Sequence, residues 1–471
     1  MQPSEEAIYA LYEHMQLSNM IPNEETYALV IEALCRKDME IFSRVGMSKE
    51  SSQLSLAMTV AYKAHVNKQF FATTAPYNRL LQCCAQRGCS ETAIAVLSLL
   101  ESNLRTTKDA ESYRLLLQVF MNPRLSSIDG ETPEDKQARA LRACVQVFST
   151  FERVASAMAL IEPSTTSFTP AQCSSVWATM IDAYFALGDA FGAVALLDRI
   201  LSPKAGELAT PPLDEQIVSR MILGFVYTGD CRSAVQWLKQ ISASSLPAPS
   251  APALEGMVLA AMQQPSTDAA ILLRDIALVL AGRSVAPADV GLAASRCVTS
   301  LATVLEMRKV ERSLSASDLA ASYRALVALA EKVFAQFSPE HPLRTRQQAG
   351  PVSAVLRLAA HQSVIGDGAM SSRLFALASM ALRHADVSSA ASVSLMCDAC
   401  HLPMAIADAA VAHPQGPPMP RFVALATMVL PALDGMSGSL VDSTTTALIR
   451  EYEALHRDAQ CVLCLLYTSP S

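Results

Sequence analysis

The stretch YNRLLQCCAQRGCSETAIAVLSLL, residues 77–100, recurs in outline twice further along the chain, as WATMIDAYFALGDAFGAVALLDRI at 177–200 and VSRMILGFVYTGDCRSAVQWLKQI at 218–241. Each copy has a large apolar residue eleven positions before a glycine and an alanine five positions after it. Because glycine readily takes the left-handed conformation that ends a helix, each copy predicts two helices joined by a turn. The turn glycines are Gly88, Gly188 and Gly229.

The same spacing continues along the chain as a repeat of 36 residues. Each of the large apolar residues precedes its alanine by 16 positions, and several alanines precede the next large residue by 20. A single helical hairpin cannot bury its apolar face, so neighbouring hairpins are expected to stack. The composition agrees, with 17 glycines and 51% hydrophobic residues in 471. The sequence predicts an all-α fold, an α-solenoid of stacked helical hairpins. The alanines expected between helices are Ala93, Ala193 and Ala234.

Three cysteines within seven positions, Cys83, Cys84 and Cys89, raise the alternative of a metal site in the first copy. The hairpin pattern places Cys83 and Cys84 inside a first helix and Cys89 in the turn. Cysteines inside apolar helices are usually small core residues. We therefore expect no metal or cofactor here, and the twelve scattered cysteines favour a reducing compartment over a disulfide framework.

A second cysteine motif, CDACH at residues 397–401, matches the C-x-x-C-H pattern of covalent haem attachment. Haem would need a second axial ligand, and Met404 is too close in sequence to reach the opposite face. Zinc would need two further ligands, and no second C-x-x-C or H-x-x-x-H accompanies the motif. We expect two helix cysteines and a histidine near a helix end before Pro403.

The opening AIYALYEHMQLSNMIPNEETYALVIEALC, residues 7–35, resembles the pentatricopeptide repeat family. It has alanine and leucine on a second helix, a methionine near the end of that helix, and then Pro22-Asn23 and Thr26-Tyr27 before a new helical run. The segment PYNRLLQCCAQRG is similar to another copy. The resemblance implies a superhelix that binds single-stranded RNA, one base per repeat, through two or three side chains of each repeat.

In this family each base is recognised by the residue after the first-helix aromatic together with the last residue before the next repeat. The resemblance therefore pairs Asn78 with Asp109, a combination similar to the uridine-preferring type. The alternative for Asn78 is a helix-start residue that satisfies backbone groups.

Two other pairs depart from the family's usual residues, since alanine cannot form a hydrogen bond with a base. They are Ala28 with Thr73 and Ala178 with Asp214.

The charge pattern limits the function classes. The formal net charge of −7 provides no global positive field to attract polyanions. Residues 61–120, however, carry seven Lys and Arg against four Asp and Glu, and Arg79 and Arg114 are expected to contact RNA phosphates. Neither a membrane span nor an enzyme is expected, because long apolar runs and the common catalytic motifs are absent from the sequence.

The expected organisation has five segments. They are best-matching repeats at 1–120, an insertion with irregular helices at 121–172, repeats at 173–280, degenerate helical repeats at 281–463, and CLLYTSPS at 464–471, which resembles a translated sequencing adaptor. The first copy begins in mid-repeat, so the chain is expected to be a fragment. Loops are expected at 121–137, 202–216, 242–253 and 413–421, where Pro, Ser and Gly interrupt the helical period.

The resemblance implies an organellar, mitochondrial factor that binds single-stranded RNA in transcript maturation, stability or translation. This location rests on the resemblance alone, since the acidic opening does not resemble a mitochondrial presequence. The alternative is a protein-binding helical-repeat scaffold without RNA contact, favoured by the acidic balance and by alanine at two base positions.

Overall fold

The computed structural model describes residues 5–45, 52–103, 105–122, 124, 131–161, 168–202, 210–244, 246–282, 287–337, 346–364, 370, 373–374, 376–378 and 381. These residues form helices and no strand, which confirms the predicted fold class. They fall into two compact units that divide between Thr228 and Gly229.

The described residues of the first unit form ten helices. They are α1 (Glu5–Leu17), α2 (Glu24–Val45), α3 (Ser52–Val66), α4 (Ala75–Arg87), α5 (Ser90–Ser102), α6 (Ala110–Phe120), α7 (Pro133–Ile161), α8 (Pro170–Ala186), α9 (Ala190–Leu201) and α10 (Glu215–Tyr227). The even-numbered helices from α2 onward contact one another in succession, and each of α2, α4, α6 and α8 also packs against the helix that follows it. The hairpins are therefore stacked, and the first helices form a continuous layer within this unit.

The turns follow the predicted chemistry. Gly88, Gly188 and Gly229 have φ angles of 73°, 78° and 80°, which confirms the left-handed turns. At the first of these turns the Gly88 N–H donates to the carbonyl of Cys84 at 2.8 Å. The three predicted alanines are fully buried, also as predicted.

Side-chain caps explain where several helices begin. Asp189, Asp214 and Asp230 each accept a hydrogen bond from the backbone N–H three residues later, which satisfies a donor that would otherwise lack a partner. Helix α8 begins with a capping box formed by Thr169 and Gln172.

The clustered cysteines lie where the hairpin pattern predicted them. Cys83 and Cys84 are completely buried in α4, and the Cys83 thiol donates to the carbonyl of Cys35 at 3.6 Å. Cys89 lies in the turn as the N-cap residue of α5. Burial raises the pKa of the Cys84 thiol well above its ordinary value, so this thiol stays protonated at neutral pH.

Residues 133–161 of the insertion predicted at 121–172 form one regular helix, and the last residues of the loop predicted at 121–137 belong to it. Helix α7 runs unbroken from Pro133 to Ile161 and packs against α6 and α8. Proline is well accommodated in the first turn of a helix, so the Pro133 that suggested a loop begins this helix instead. Helix α7 is therefore the second helix of the hairpin that α6 begins.

The second unit has the same arrangement of paired helices. Its helices are α11 (Cys231–Ala243), α12 (Ala251–Met262), α13 (Ser266–Gly282), α14 (Pro287–Leu305), α15 (Arg308–Ser313), α16 (Ala316–Phe334) and α17 (Arg346–Val364). Helices α12, α14 and α17 contact in succession, as do α11, α13 and α16. Two ion pairs, Arg232–Asp268 and Lys239–Asp275, connect α11 to α13. Each of them joins residues 36 positions apart, the length of one repeat.

Several predictions fall on other parts of the chain. The CDACH motif, the loop at 413–421 and the final eight residues lie outside the described residues. Within the described ranges, no helix is both long and apolar enough to cross a bilayer.

Candidate nucleic-acid interface

The predicted base-recognition pair lies where two stacked repeats meet. Helix α4 begins at Ala75, Tyr77 is buried in the core, and Asn78 follows it at the edge of the core, half-buried. Asp109 is the N-cap of α6, and its carboxylate accepts the Ser112 N–H at 2.8 Å. Because α4 and α6 pack together, the start of one helix lies beside the start of the other.

Hydrogen bonds join Asn78 to Asp109 directly. The Asn78 amide nitrogen donates to the two carboxylate oxygens at 3.2 and 3.3 Å. The Ser112 hydroxyl lies 2.8 Å from the Asn78 amide oxygen, and the Thr74 hydroxyl donates to Asp109 at 2.5 Å. The structure thus brings the predicted pair together, and these bonds of the Asn78 amide run to side chains instead of the backbone groups of a helix start.

Asp109 remains ionised at neutral pH in this setting. Burial alone would raise the pKa of Asp109, but hydrogen bonds from Thr74, Ser112 and Asn78 outweigh it and hold the pKa below its ordinary value. An ionised carboxylate can only accept hydrogen bonds, so the Asn78 amide must turn its nitrogen toward Asp109.

This fixed orientation determines what the amide can offer to a base. One N–H of Asn78 is used by Asp109, which leaves the second N–H and a lone pair of the amide oxygen. Uracil presents an N3–H donor beside carbonyl acceptors and matches that donor–acceptor pair. Cytosine has an acceptor at N3, so it would place two acceptors against each other.

The equivalent boundary between α8 and α10 keeps the carboxylate and loses the amide. Asp214 caps α10 and accepts the Ile217 N–H at 2.9 Å, and the Ser174 hydroxyl donates to Asp214. The residue that corresponds to Asn78 is Ala178, which is only 1% exposed. The structure therefore places Ala178 and Asp214 at matching positions without a polar contact between their side chains.

The family model of the pentatricopeptide repeat, described as PPR repeat, matches this chain at residues 75–103 and again at 175–202. These two segments are pentatricopeptide repeats. The two matches cover the hairpins α4–α5 and α8–α9, which carry two of the three predicted turn glycines.

This chain also has similarity to solved structures. It is similar to PPR10 from maize, with 12% identity over 98% of this chain and 76% of that chain and a TM-score of 0.31. The complex of PPR10 with an 18-nucleotide psaJ RNA element gives 13% identity over 96% of this chain and 62% of that chain, with a TM-score of 0.34. No curated protein matches the chain. The identification of the two repeats rests on the matches of the family model.

The first repeat pair lies further from the expected geometry for base recognition. Ala28 is half-buried and packs against the core of the first unit, while Thr73 is exposed just before α4. A methyl group supplies neither a donor nor an acceptor, so this boundary of the pentatricopeptide array has no polar pair like that of Asn78 and Asp109.

Five of the seven cations in the locally basic residues 61–120 have an acidic partner. Arg87 is 3% exposed and is held by the carboxylate of Asp38 at 2.8 Å. The cations of this region with an acidic partner are Arg79 (Glu32), Arg87 (Asp38), Arg105 (Glu24), Lys108 (Glu101) and Arg114 (Glu111). Three of these acids come from α2, outside the region whose charges were counted, so they offset its surplus.

Of the two arginines expected at phosphates, Arg79 is the more available. Its guanidinium lies 3.9 Å from Glu32 and its side chain is 48% exposed. Arg114 forms two bonds of 2.6 Å with Glu111 and its side chain is 24% exposed. A phosphate could displace the loose partner of Arg79 far more easily than the bidentate partner of Arg114.

Sequence reasoning missed two members of the site, Thr74 and Ser112. Thr74 precedes the core aromatic Tyr77 by three positions, and Ser112 directly precedes the core aromatic Tyr113. A hydroxyl residue one position before an aromatic anchor, facing an Asn in the preceding repeat, is the signal that could have indicated Ser112.

Proposed function

We propose that this chain binds single-stranded RNA along the layer of first helices in its first unit, with the repeat at 75–103 recognising uridine. The observation that carries the proposal is the hydrogen-bonded pair of Asn78 and Asp109. These residues stand 31 positions apart, and their pairing orients the amide so that it matches uracil. The two matches to the pentatricopeptide repeat support the class of ligand, because repeats of this family bind one RNA base each.

The same match to the pentatricopeptide repeat supports a proposal for the cellular role. We propose an organellar, mitochondrial factor that acts in the maturation, stability or translation of a transcript. Imaging of the tagged protein in its source cells beside a mitochondrial marker tests the location, and a nuclear or cytosolic distribution would contradict it.

A protein-binding scaffold is the second candidate, and one observation favours it. Five of the seven cations at residues 61–120 are paired with acids of the same protein, which lowers the positive charge available to phosphates. RNA binding by such a surface would depend strongly on salt and on the arginines whose partners are loose.

The proposal is tested by filter binding of the whole chain to a single-stranded uridine oligonucleotide at several salt concentrations. We expect retention at low salt that weakens steadily as salt increases, and no comparable retention of double-stranded RNA of the same length. Absence of retention at low salt would refute RNA binding and leave the scaffold.

Arg79→Gln and Arg114→Gln form a matched pair in this experiment. Because Arg79 is more exposed and loosely paired, its loss should reduce the salt slope by about one and weaken binding to all sequences alike. Arg114 is held by Glu111, so Arg114→Gln should change the slope less. An equal effect of both substitutions would contradict the order of availability that the structure gives.

A further inference from the structure

The hydroxyl of Ser112 belongs to one repeat but faces the base-recognition residue of the preceding repeat. We propose that Ser112 is a positioning residue that sets the specificity of Asn78. The base facing α4 is then recognised through a side chain supplied by α6. This inference rests on the RNA binding proposed above and adds a third residue to the pair of Asn78 and Asp109.

The geometry restricts what the Ser112 hydroxyl can do. Ser112 is completely buried, and its oxygen lies 2.8 Å from the Asn78 amide oxygen and 2.8 Å from a carboxylate oxygen of Asp109. Both neighbours are acceptors in this arrangement, so the single hydroxyl proton lies between them. The serine therefore holds the amide oxygen while Asp109 holds the amide nitrogen, and rotation of the amide would break both contacts.

Other repeats of the same chain show that this serine accompanies the amide. One residue directly precedes the large buried residue of each first helix. It can be compared with the residue at the base-recognition position of the preceding repeat. The combinations are Pro76 with Ala28, Ser112 with Asn78, Val176 with Arg114, and Ile217 with Ala178. Among these boundaries the hydroxyl occurs where the amide occurs.

The contact that the helix-capping aspartate makes between stacked repeats does not require this serine. At the boundary of α8 and α10, Asp214 still caps its helix and still accepts the hydroxyl of Ser174, although Ile217 stands in place of Ser112. Stacking of the repeats is thus achieved without a hydroxyl at this position. The role left for Ser112 is the orientation of Asn78.

The consequence concerns discrimination between bases more than affinity. Without the Ser112 hydroxyl, the amide oxygen loses this partner and Asp109 alone holds the amide, so its orientation is fixed less firmly. The contact with uridine survives, since Asn78 and Asp109 remain, but cytidine becomes less disfavoured.

The test uses Ser112→Ala, with Ser112→Thr as the conservative variant. The probe is an RNA selected by the wild-type chain from a randomised single-stranded pool. The second RNA differs from this probe at one position. There it has cytidine in place of the uridine that the Asn78→Ala chain no longer prefers. We expect Ser112→Ala to reduce the uridine-to-cytidine ratio of affinities by about fivefold, the effect of one neutral hydrogen bond, with a smaller loss of affinity for the uridine RNA. Ser112→Thr should restore the ratio.

A double-mutant cycle separates positioning from stability. In the Asn78→Ala background, Ser112→Ala should leave the ratio unchanged, because the serine acts through the amide. A wild-type ratio in Ser112→Ala would overturn the inference and leave the proposed function standing. Equal loss of affinity for both RNAs together with a lowered melting temperature would also overturn it, by showing a structural role. No RNA selected by the wild-type chain would refute the proposed function and this inference together.

Discussion

The repeats at 75–103 and 175–202 match the same family model but connect to the next repeat through different contacts. The first offers Asn78, whose amide bonds to Asp109. The second has Ala178, while its Asp214 bonds to the helix that it caps and to Ser174. The aspartate therefore has a structural role in both repeats, as a helix cap and as an acceptor across the boundary. It indicates base recognition only where an amide faces it.

The two regions also differ in the contacts between their buried side chains. Near the first repeat, Arg87 and Asp38 form a buried bidentate ion pair between α4 and α2. Near the second, α8 and α10 meet through an edge-to-face pair of Phe185 and Phe225. A Cβ on Gly224 would lie 2.0 Å from the Phe185 ring, so only glycine allows this close approach. A buried ion pair thus joins α2 to α4, whereas α8 and α10 meet through aromatic rings in addition to the contact of Ser174 with Asp214.

The largest expected effect comes from breaking the buried ion pair between α2 and α4. Asp38→Ala leaves the guanidinium of Arg87, whose side chain is 2% exposed, without its carboxylate partner. Loss of one partner of a buried ion pair typically costs about 3–5 kcal/mol, and we expect a fall of that order in the free energy of unfolding of the first unit. Chemical denaturation followed by circular dichroism would measure it.

The double substitution Asp38→Leu with Arg87→Met is the control for this experiment. Because it removes both charges together, it should restore most of the lost stability. A stability of Asp38→Ala equal to that of the wild type would show that the ion pair does not hold α2 against α4.

The α8–α10 boundary and the α4–α6 boundary should respond to pH in opposite directions. At the later one, burial raises the pKa of Asp182 to about 6, with Arg220 opposing this change. Between about pH 7 and pH 5 the folded state then binds more protons than the unfolded state, so stability there should rise on acidification by at most about 1.4 kcal/mol for each step of one in pH. At the earlier one, the lowered pKa of Asp109 means that its contribution is present above the unfolded pKa and is lost as pH falls through the folded pKa.

Hydrogen exchange of the α8–α10 and α4–α6 amides, corrected for intrinsic rates, would follow both responses. Asp182→Asn should abolish the gain of protection at α8 and α10 on mild acidification. A gain that persists in this variant would assign the effect to another group.

Much of the fold could be predicted from sequence because its signals are local. The turn glycine, the buried alanine and the large anchor of each hairpin stand at fixed short distances, and each is set by the conformation or packing of a single hairpin. The long helix α7 escapes this kind of prediction because Pro133 stands among loop-forming residues, although proline also suits the first turn of a helix.

The candidate site could be predicted only in part. The family resemblance supplied Asn78 and Asp109, whose pairing requires two stacked repeats. The hydroxyl residue before Tyr113 indicates that Ser112 faces the same amide only once the stacking of the repeats is known, and nothing local indicates that Asp38, 49 positions earlier, neutralises Arg87. Counting charges within a segment overlooks partners from another helix, and three of the cations at residues 61–120 are paired with acids of α2.

Recognition of uridine by Asn78, oriented by Asp109, is the step on which the proposed function depends. The affinities of wild-type and Asn78→Ala chains for two RNAs that differ by uridine or cytidine at one position provide its test. Since a lost base-edge contact costs about 1–3 kcal/mol, the ratio of affinities should fall by about tenfold in Asn78→Ala while general binding persists. Ala178→Gly, at the matching position of the later repeat, should leave the ratio unchanged. An unchanged ratio in Asn78→Ala would contradict recognition of uridine by this residue.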